Sequence, residues 1–584
     1  MELKYSEEKN VQILLALLKA HNIRRIILNP GSSNLAFSGS VQNDDWLQCF
    51  SGVDERHSAY LACGMAAESS EPVVLNCTGA TSSRNYMPAL TEAYYRKIPI
   101  FVVTSSQPSR YIGQLIPQVT DRLHLPTDIV RFSVNCPATS TENDAYTVRI
   151  LNEAILELRR HGGGPVHVNL EMSYNTKLTV QSLPLIHRIS RTYSSDKIWP
   201  EIKRDAKIAV WIGAHKSFTA EEAAALEAFA MRHNVVVLCD HTSSYHGVRR
   251  IQSALLCSQG LRKVTKFANL KPDLIVHIGE ISGDAPTAQY LTGLAPVWRV
   301  SEDGELRDTL SGLVGVFEMR EQEFFTHYST GCEVVADDFY AMWKKADENV
   351  RVRIPSLPFS NPFMAQRFSR DIPNGSVLQF GIFNSLRSWN YFDISNDVDT
   401  MCNVGGFGID GCVSTLLGAS LVNVERLYFG VFGDLAFFYD MNALGNRHVG
   451  NNVRILLVNN GAGAEFNMYN NPTSQFAERT NDYIAAGGHF GCKSRKLVRD
   501  FVTDLGYEYL SADSSEEFSK VLPEFLSGSA KRSIVFECFT DLKDESNALR
   551  LLNSIEYHVD ISNEMRKMIP AGVKSFARNL LWRR

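Results

Sequence analysis

A chain of 584 residues with 44% hydrophobic and 21% charged residues has room for three or four domains and the make-up of a soluble globular protein, not a disordered or fibrous one. A net charge of −5 argues against a nucleic-acid surface, which needs clustered excess Lys and Arg, and no apolar run reaches the roughly 20 residues that cross a bilayer, so no integral membrane segment is expected. Eleven cysteines without a Cys-x-x-Cys pair, and a polar start from Met1 to Asn10, predict free thiols and a cytoplasmic protein.

In chain order, Arg25 to Leu28, Pro72 to Leu75 and Ile98 to Val103 read as buried parallel strands. Helical patterns lie between them, at Ser58 to Ser69 and Tyr86 to Tyr95, and the strand Gly164 to Leu170 closes a first block, residues 1–185. The polar stretch Ser190 to Asp196 reads as a linker. A second block, residues 196–345, opens with the strand Ile208 to Ile212 and a helix from Ala220 to His233, with further strands at Val235 to Leu238 and Leu274 to Ile278. In it, Asp240-His241-Thr242 with His246 matches no metal-ligand spacing and reads as a solvated loop. A third block, residues 360–545, has strands at Val377 to Phe380, Arg426 to Phe432, Arg454 to Val458 and Ser533 to Glu537. Residues 546–584 form a tail whose stretch Arg566 to Arg584 carries six Lys or Arg and no acid. Such a tail suits an anionic membrane surface or a cover over an active site or subunit interface. Strand–helix alternation throughout predicts an α/β protein of three doubly wound parallel-sheet domains.

The chemistry concentrates between Gly433 and Asn460. Strand Arg426 to Phe432 ends in Gly433-Asp434-Leu435-Ala436, a helix-like stretch runs from Phe437 to His448, and the next strand ends in Asn459-Asn460. Both polar ends then fall on the carboxyl edge of one sheet, where open α/β sheets bind ligands. An Asp carboxylate and an Asn carbonyl are hard oxygen donors suited to Mg²⁺, and the helix N-terminus beside them suits a phosphate. The bland alternative is a helix cap and a turn. Gly406-Phe407-Gly408-Ile409-Asp410-Gly411 also fits G-x-G-x-x-G, but no β-branched strand precedes it and Glu425 lies before the next strand, so a dinucleotide site is rejected.

Gly433-Asp434 followed by Asn459-Asn460, Asn29-Pro30-Gly31-Ser32 and Val53-Asp54-Glu55-Arg56 together resemble the thiamine diphosphate-dependent 2-oxo acid decarboxylase and carboligase superfamily. The resemblance implies thiamine diphosphate and Mg²⁺ as cofactors, with Asp434, Asn460 and the Ala462 carbonyl on the metal. It implies that Glu55 hydrogen-bonds the aminopyrimidine N1′, the contact through which the cofactor is activated. Ile409 would bend the cofactor, the Phe407 carbonyl would accept its 4′-amino group, and Ser385, Leu386, Gly433, Leu435, Ala436 and Phe466 would complete its binding. Nearly the whole chain resembles the menaquinone-pathway SEPHCHC synthase (MenD-like) branch, through Asn85-Tyr86-Met87-Pro88-Ala89, Asn384-Ser385-Leu386 and Gly408-Ile409-Asp410-Gly411. That branch places Gln118 near the reacting carbons. It also implies a homodimer or homotetramer, with pyrimidine-binding, central and diphosphate-binding domains.

The chain departs from that branch where arginines hold carboxylate-rich substrates. Ser33, Gln107 and Trp389 stand at arginine positions, Asn403-Val404-Gly405 replaces Asn-Arg-Gly, and no Lys or Arg lies between Gly279 and Tyr290. Each charge-assisted contact is worth about 1.5–3 kcal/mol, so isochorismate with 2-oxoglutarate is disfavoured. Arg387 and Arg110 are left to hold a single carboxylate, which fits a pyruvate-like donor. The expectation is a decarboxylating carboligase acting on a small-molecule 2-oxo acid and a second substrate. The alternatives are a simple non-oxidative decarboxylase and a catalytically inactive binding member, the latter opposed by the joint presence of Glu55, Asp434 and Asn460.

Overall fold

The computed structural model describes residues 4–556 other than 122, 124, 142–143, 331–337 and 491–492; the basic stretch Arg566 to Arg584 lies outside the described residues. By internal contacts the chain divides into two units, Met1–Asp196 with Asp303–Glu318, and Lys197–Glu302 with Met319–Arg584.

The first unit holds strands β1 (Arg25–Leu28), β2 (Gln48–Ser51), β3 (Val73–Cys77), β4 (Ile100–Ser106), β5 (Phe132–Cys136) and β6 (Val166–Glu171), in the order β2-β1-β3-β4-β6-β5. Every pairing among them is parallel. Apolar residues run without a polar break because both faces are covered. Ile26, Val74, Phe101, Val103 and Val168 join one core with the helices Lys9–Ala20 and Ala145–Glu157. Their neighbours Ile27, Val73, Leu75, Ile100 and Val102 turn to the other face, against helices Glu55–Ser69 and Met87–Tyr95. The expected linker is instead partly a strand: β7 (Ser190–Tyr193) pairs in parallel with β13 (Leu313–Glu318). Its polar sequence hides this, since only Thr192 is buried while Arg191 is tied by ion pairs to Glu157 and Glu318.

The second unit holds β8 (Lys207–Ile212), β9 (Asn234–Cys239), β10 (Arg250–Gln252), β11 (Leu274–Ile278) and β12 (Val297–Ser301), in the order β10-β9-β8-β11-β12. A further sheet comprises β14 (Val377–Phe380), β15 (Asp399–Cys402), β16 (Tyr428–Gly433), β17 (Val453–Asn459), β18 (Glu508–Ala512) and β19 (Ile534–Phe539), ordered β15-β14-β16-β17-β19-β18 and parallel throughout. Val377, Phe432, Ile455, Leu457 and Val535 pack on helices Cys412–Ser420 and Leu497–Asp504. On the opposite face Phe429 meets Phe525 and Phe536 stacks on Phe518, at centroid distances of 5.7 and 5.3 Å. Three parallel sheets wrapped by helices thus form the expected α/β architecture.

Two expectations are corrected here. The helix read from Phe437 to His448 is an α-helix only over Asp434–Asp440 and continues as a 3₁₀ turn, Met441–Gly445. The Leu444 carbonyl of that turn accepts from the Tyr507 hydroxyl at 3.0 Å, a tertiary partner that stands in for a helical one. The Asp240–His241 loop is buried, not solvated. Asp240 accepts from the Thr242 amide at 2.6 Å and the Ser282 hydroxyl at 2.8 Å. His241 Nε2 lies 3.0 Å from the carbonyl oxygens of both Trp389 and Phe392, so it must donate. Burial holds its imidazole down to about 3, in the neutral form.

Candidate active site

The carboxyl edge of the β14–β19 sheet gathers most of the residues singled out in the sequence. Strand β16 ends on Gly433, and the helix Asp434–Asp440 starts at once. Asp434 is only 4% exposed. One carboxylate oxygen accepts from the Leu435 amide at 2.7 Å and the other from the Gly461 amide at 2.6 Å. The second bond ties the loop after β16 to the loop after its neighbour β17. Gly461 makes the turn at φ +82°, a conformation that favours glycine. Asn460 follows the last residue of β17, its Oδ1 3.4 Å from the Ala462 amide. Burial pushes Asp434 up to about 6 against these amide bonds.

No Lys or Arg pairs with Asp434 among the described residues, and none of their His, Cys, Asp and Glu side chains form a group of three suited to a metal. What the edge offers is one carboxylate, one amide oxygen and the Ala462 carbonyl. That oxygen set fits Mg²⁺ and lacks the nitrogen and sulfur that Zn²⁺ prefers. A buried carboxylate without a countercharge is also what a cation would stabilise. Beside it lies a cleft of about 630 Å³ lined by Asn460, Gly461, Ala462, Asn481, Asp482 and Gly488 among others.

Ser385 and Leu386, on the helix Asn384–Trp389 after β14, are buried. Ser385 Oγ accepts from Asn361 Nδ2 at 3.2 Å. Asn361 also accepts from Trp389 Nε1 at 3.0 Å and donates its amide N–H to Glu545 at 3.0 Å. Glu545 takes a further bond from Asn384 Nδ2 at 3.3 Å and is pushed up to about 7 by complete burial. Phe407 has φ +53° and Phe383 φ +63°. Their rings meet at 5.5 Å, and left-handed backbone at two bulky residues is strain of the kind that collects at functional sites. Ile409 packs partly buried on the sheet core, and Phe466 sits 37% exposed in the turn Ala464–Asn467.

Two expected substrate contacts change character. Trp389 is fully buried against Phe368 and Phe380, so its place is in the core under the helix and not in a pocket wall. Arg387 is not a free cation: Nη1 and Nη2 bond the Glu465 carboxylate at 2.8 and 2.9 Å. Glu465, Glu545 and Asn361 were not singled out from the sequence, where only an acid three positions after Ala462 hinted at the first.

In the first unit, Glu55 opens the helix Glu55–Ser69, which Asp54 caps by accepting from the His57 amide at 2.8 Å. Asn29, at the end of β1, donates to the Gly52 carbonyl at 2.7 Å and to Ser58 Oγ at 2.9 Å, and accepts from the Tyr86 hydroxyl at 2.7 Å. This buried network fixes the turn that presents Glu55 half-exposed. Ser33 follows β1, Gln107 follows β4, and Gln118 is exposed at φ +67°. Glu55, Ser33, Gln107 and Gln118 thus belong to the first unit and the remaining site residues to the second.

Residues 9–125 match the family "Thiamine pyrophosphate enzyme, N-terminal TPP binding domain". Over 576 residues the chain is 28% identical to the 2-succinyl-5-enolpyruvyl-6-hydroxy-3-cyclohexene-1-carboxylate synthase of Phocaeicola vulgatus, covering 96% of this chain and 100% of that protein. The synthase of the same name from Bacteroides thetaiotaomicron is 29% identical over 570 residues, 94% of this chain and 98% of its own. Residues 9–125 thus match the N-terminal domain of thiamine diphosphate enzymes, and over nearly its whole length the chain, with its parallel α/β sheets, is similar to synthases of the MenD-like kind.

Proposed function

We propose that the chain is a thiamine diphosphate- and Mg²⁺-dependent enzyme that decarboxylates a pyruvate-like 2-oxo acid and transfers its acyl group to a second substrate, forming a C–C bond. The observation that carries this reading is the Asp434–Gly461 bond, which joins two adjacent strand ends into one oxygen-donor edge. Asp434, Asn460 and the Ala462 carbonyl would hold Mg²⁺. Gly433, Leu435, Ala436, Ser385 and Leu386 would enclose the diphosphate, and Phe407, Ile409 and Phe466 the remainder. When bound, thiamine diphosphate supplies the electron sink that decarboxylation of a 2-oxo acid requires.

This chain's own residues do the positioning. Glu55, at the start of the helix that Asp54 caps and beside the turn that the Asn29 network fixes, would hydrogen-bond the aminopyrimidine of the bound cofactor. Gln118 orients the donor. The similar synthases are named for a product bearing succinyl and carboxylate groups, whereas here Ser33 and Gln107 are uncharged and Arg387 is already paired. A donor with a single carboxylate suits such a loss of free cations. Self-association supplies the rest: Val53, Tyr60, Leu61 and Tyr95 of the first unit are 81, 47, 37 and 69% exposed, an apolar surface suited to a second copy, and Glu55 would serve a cofactor held by the partner subunit.

CO₂ release from a panel of 2-oxo acids, with thiamine diphosphate and Mg²⁺, tests the reading. Pyruvate is expected to turn over, and Glu55→Gln to lower the rate by about 10²–10⁴-fold. Rapid use of 2-oxoglutarate with isochorismate and none of pyruvate would overturn the donor assignment.

A further inference from the structure

The Arg387–Glu465 pair has features that a surface ion pair lacks. It is bidentate, with both terminal guanidinium nitrogens on the two carboxylate oxygens at 2.8 and 2.9 Å, and the side chains are 24 and 22% exposed. It is also placed at the edge that carries the candidate metal donors. Arg387 lies on the helix that leaves β14, and Glu465 in the turn that follows β17. Strand β16, which lies between those two strands, ends at Gly433-Asp434. The pair therefore links the two segments flanking the Asp434 turn, three residues beyond Ala462. Glu465 is further held by its backbone, whose carbonyl accepts from Asn471 Nδ2 at 3.0 Å.

A guanidinium so placed is the natural holder of an anionic substrate group. Once its fork is filled by a carboxylate from its own chain, a second carboxylate must displace Glu465. That would leave Glu465 unpaired in a partly buried setting, which is strongly unfavourable. Resting on the function proposed above, we infer that Glu465 is a specificity-determining residue: by occupying Arg387 it makes this part of the site electrically self-compensated and rejects donors that carry a second carboxylate. The donor class is then a 2-oxo acid whose remaining substituent is uncharged.

The test is calorimetric and does not depend on turnover. Glutarate, a dicarboxylate, and propionate, a monocarboxylate, are titrated into the full-length protein loaded with thiamine diphosphate and Mg²⁺. Glu465→Gln is expected to bind glutarate at least about tenfold more tightly than the unaltered protein does. Propionate binding should stay unchanged, and the gain should disappear in the Arg387→Ala/Glu465→Gln double variant. Unchanged glutarate binding in a Glu465→Gln protein that melts like the parent overturns the inference; Glu465→Ala serves if the Gln variant does not fold. Tighter binding of glutarate than of propionate by the unaltered protein overturns it directly. Absence of CO₂ release from every 2-oxo acid would instead count against the proposed function, and leaves the binding comparison intact.

Discussion

Asp434 anchors the turn between two strand ends and is also the carboxylate proposed to hold the metal. Its two oxygens are spent on the Leu435 and Gly461 amides, and an asparagine there would turn an N–H₂ toward one of those donors. An unsatisfied buried donor costs roughly 1–3 kcal/mol. Asp434→Asn should therefore lower the melting temperature, and it should also remove a ligand-dependent effect. Magnesium with thiamine diphosphate is expected to raise the melting temperature of the parent protein, as any ligand that binds only the folded state does. That rise should be absent in the variant. An undiminished rise would remove Asp434 from the metal assignment.

At the scale of elements, the helix Asn384–Trp389 is only six residues long and too short to persist alone. Buried polar groups from distant segments hold it: Asn361, Glu545 and His241. The neighbouring helix Ala285–Leu291 is capped by Asp284, which accepts from the Thr287 amide at 3.0 Å and is fully buried, facing Asp240, Cys257 and Ser253. Burial pushes Asp284 up to about 7. An acid whose folded-state value is raised adds stability that is complete below its unfolded value and is lost as pH rises through the folded one. Asp284→Asn should then be close to neutral near pH 4 and stabilising by about 4 kcal/mol at pH 8. Denaturant melts at both pH values check this, and a pH-independent difference would contradict it.

The same elements show what sequence alone reveals. Strands buried on both faces, such as β3, β4 and β17, announce themselves as continuous apolar runs, and Gly433-Asp434 with Asn460 marks the site because each ends such a run. Strand β7 was illegible because it is polar and its partner lies more than a hundred residues away. The Asp240–His241 loop looked solvated for the same reason: the carbonyls that satisfy His241 come from residues 389 and 392. Arg387 looked free because its carboxylate partner is 78 residues distant, and no local pattern registers such a pairing.

For the whole molecule, two sets of exposed apolar residues are candidates for the proposed self-association. One is the first-unit set on and around the helix Glu55–Ser69; the other, in the second unit, includes Leu421, Val422 and Val424, which are 41, 87 and 61% exposed. If the first is a subunit interface, Leu61→Glu should shift the protein toward monomer in sedimentation velocity and lower CO₂ release, with the monomer otherwise folded. A sedimentation profile identical to that of the parent would place the interface elsewhere.

The Arg387–Glu465 pair also bears on inheritance. Loss of either member alone strands a charge in a partly buried setting, so the two positions should change together or not at all. Among sequences related to this one, a basic residue at the first position should travel with an acid at the second, and lineages with two neutral residues there should reach them through paired substitution. Where the pair is absent, the donor's charge is free to differ, so these two positions would sort the relatives by substrate.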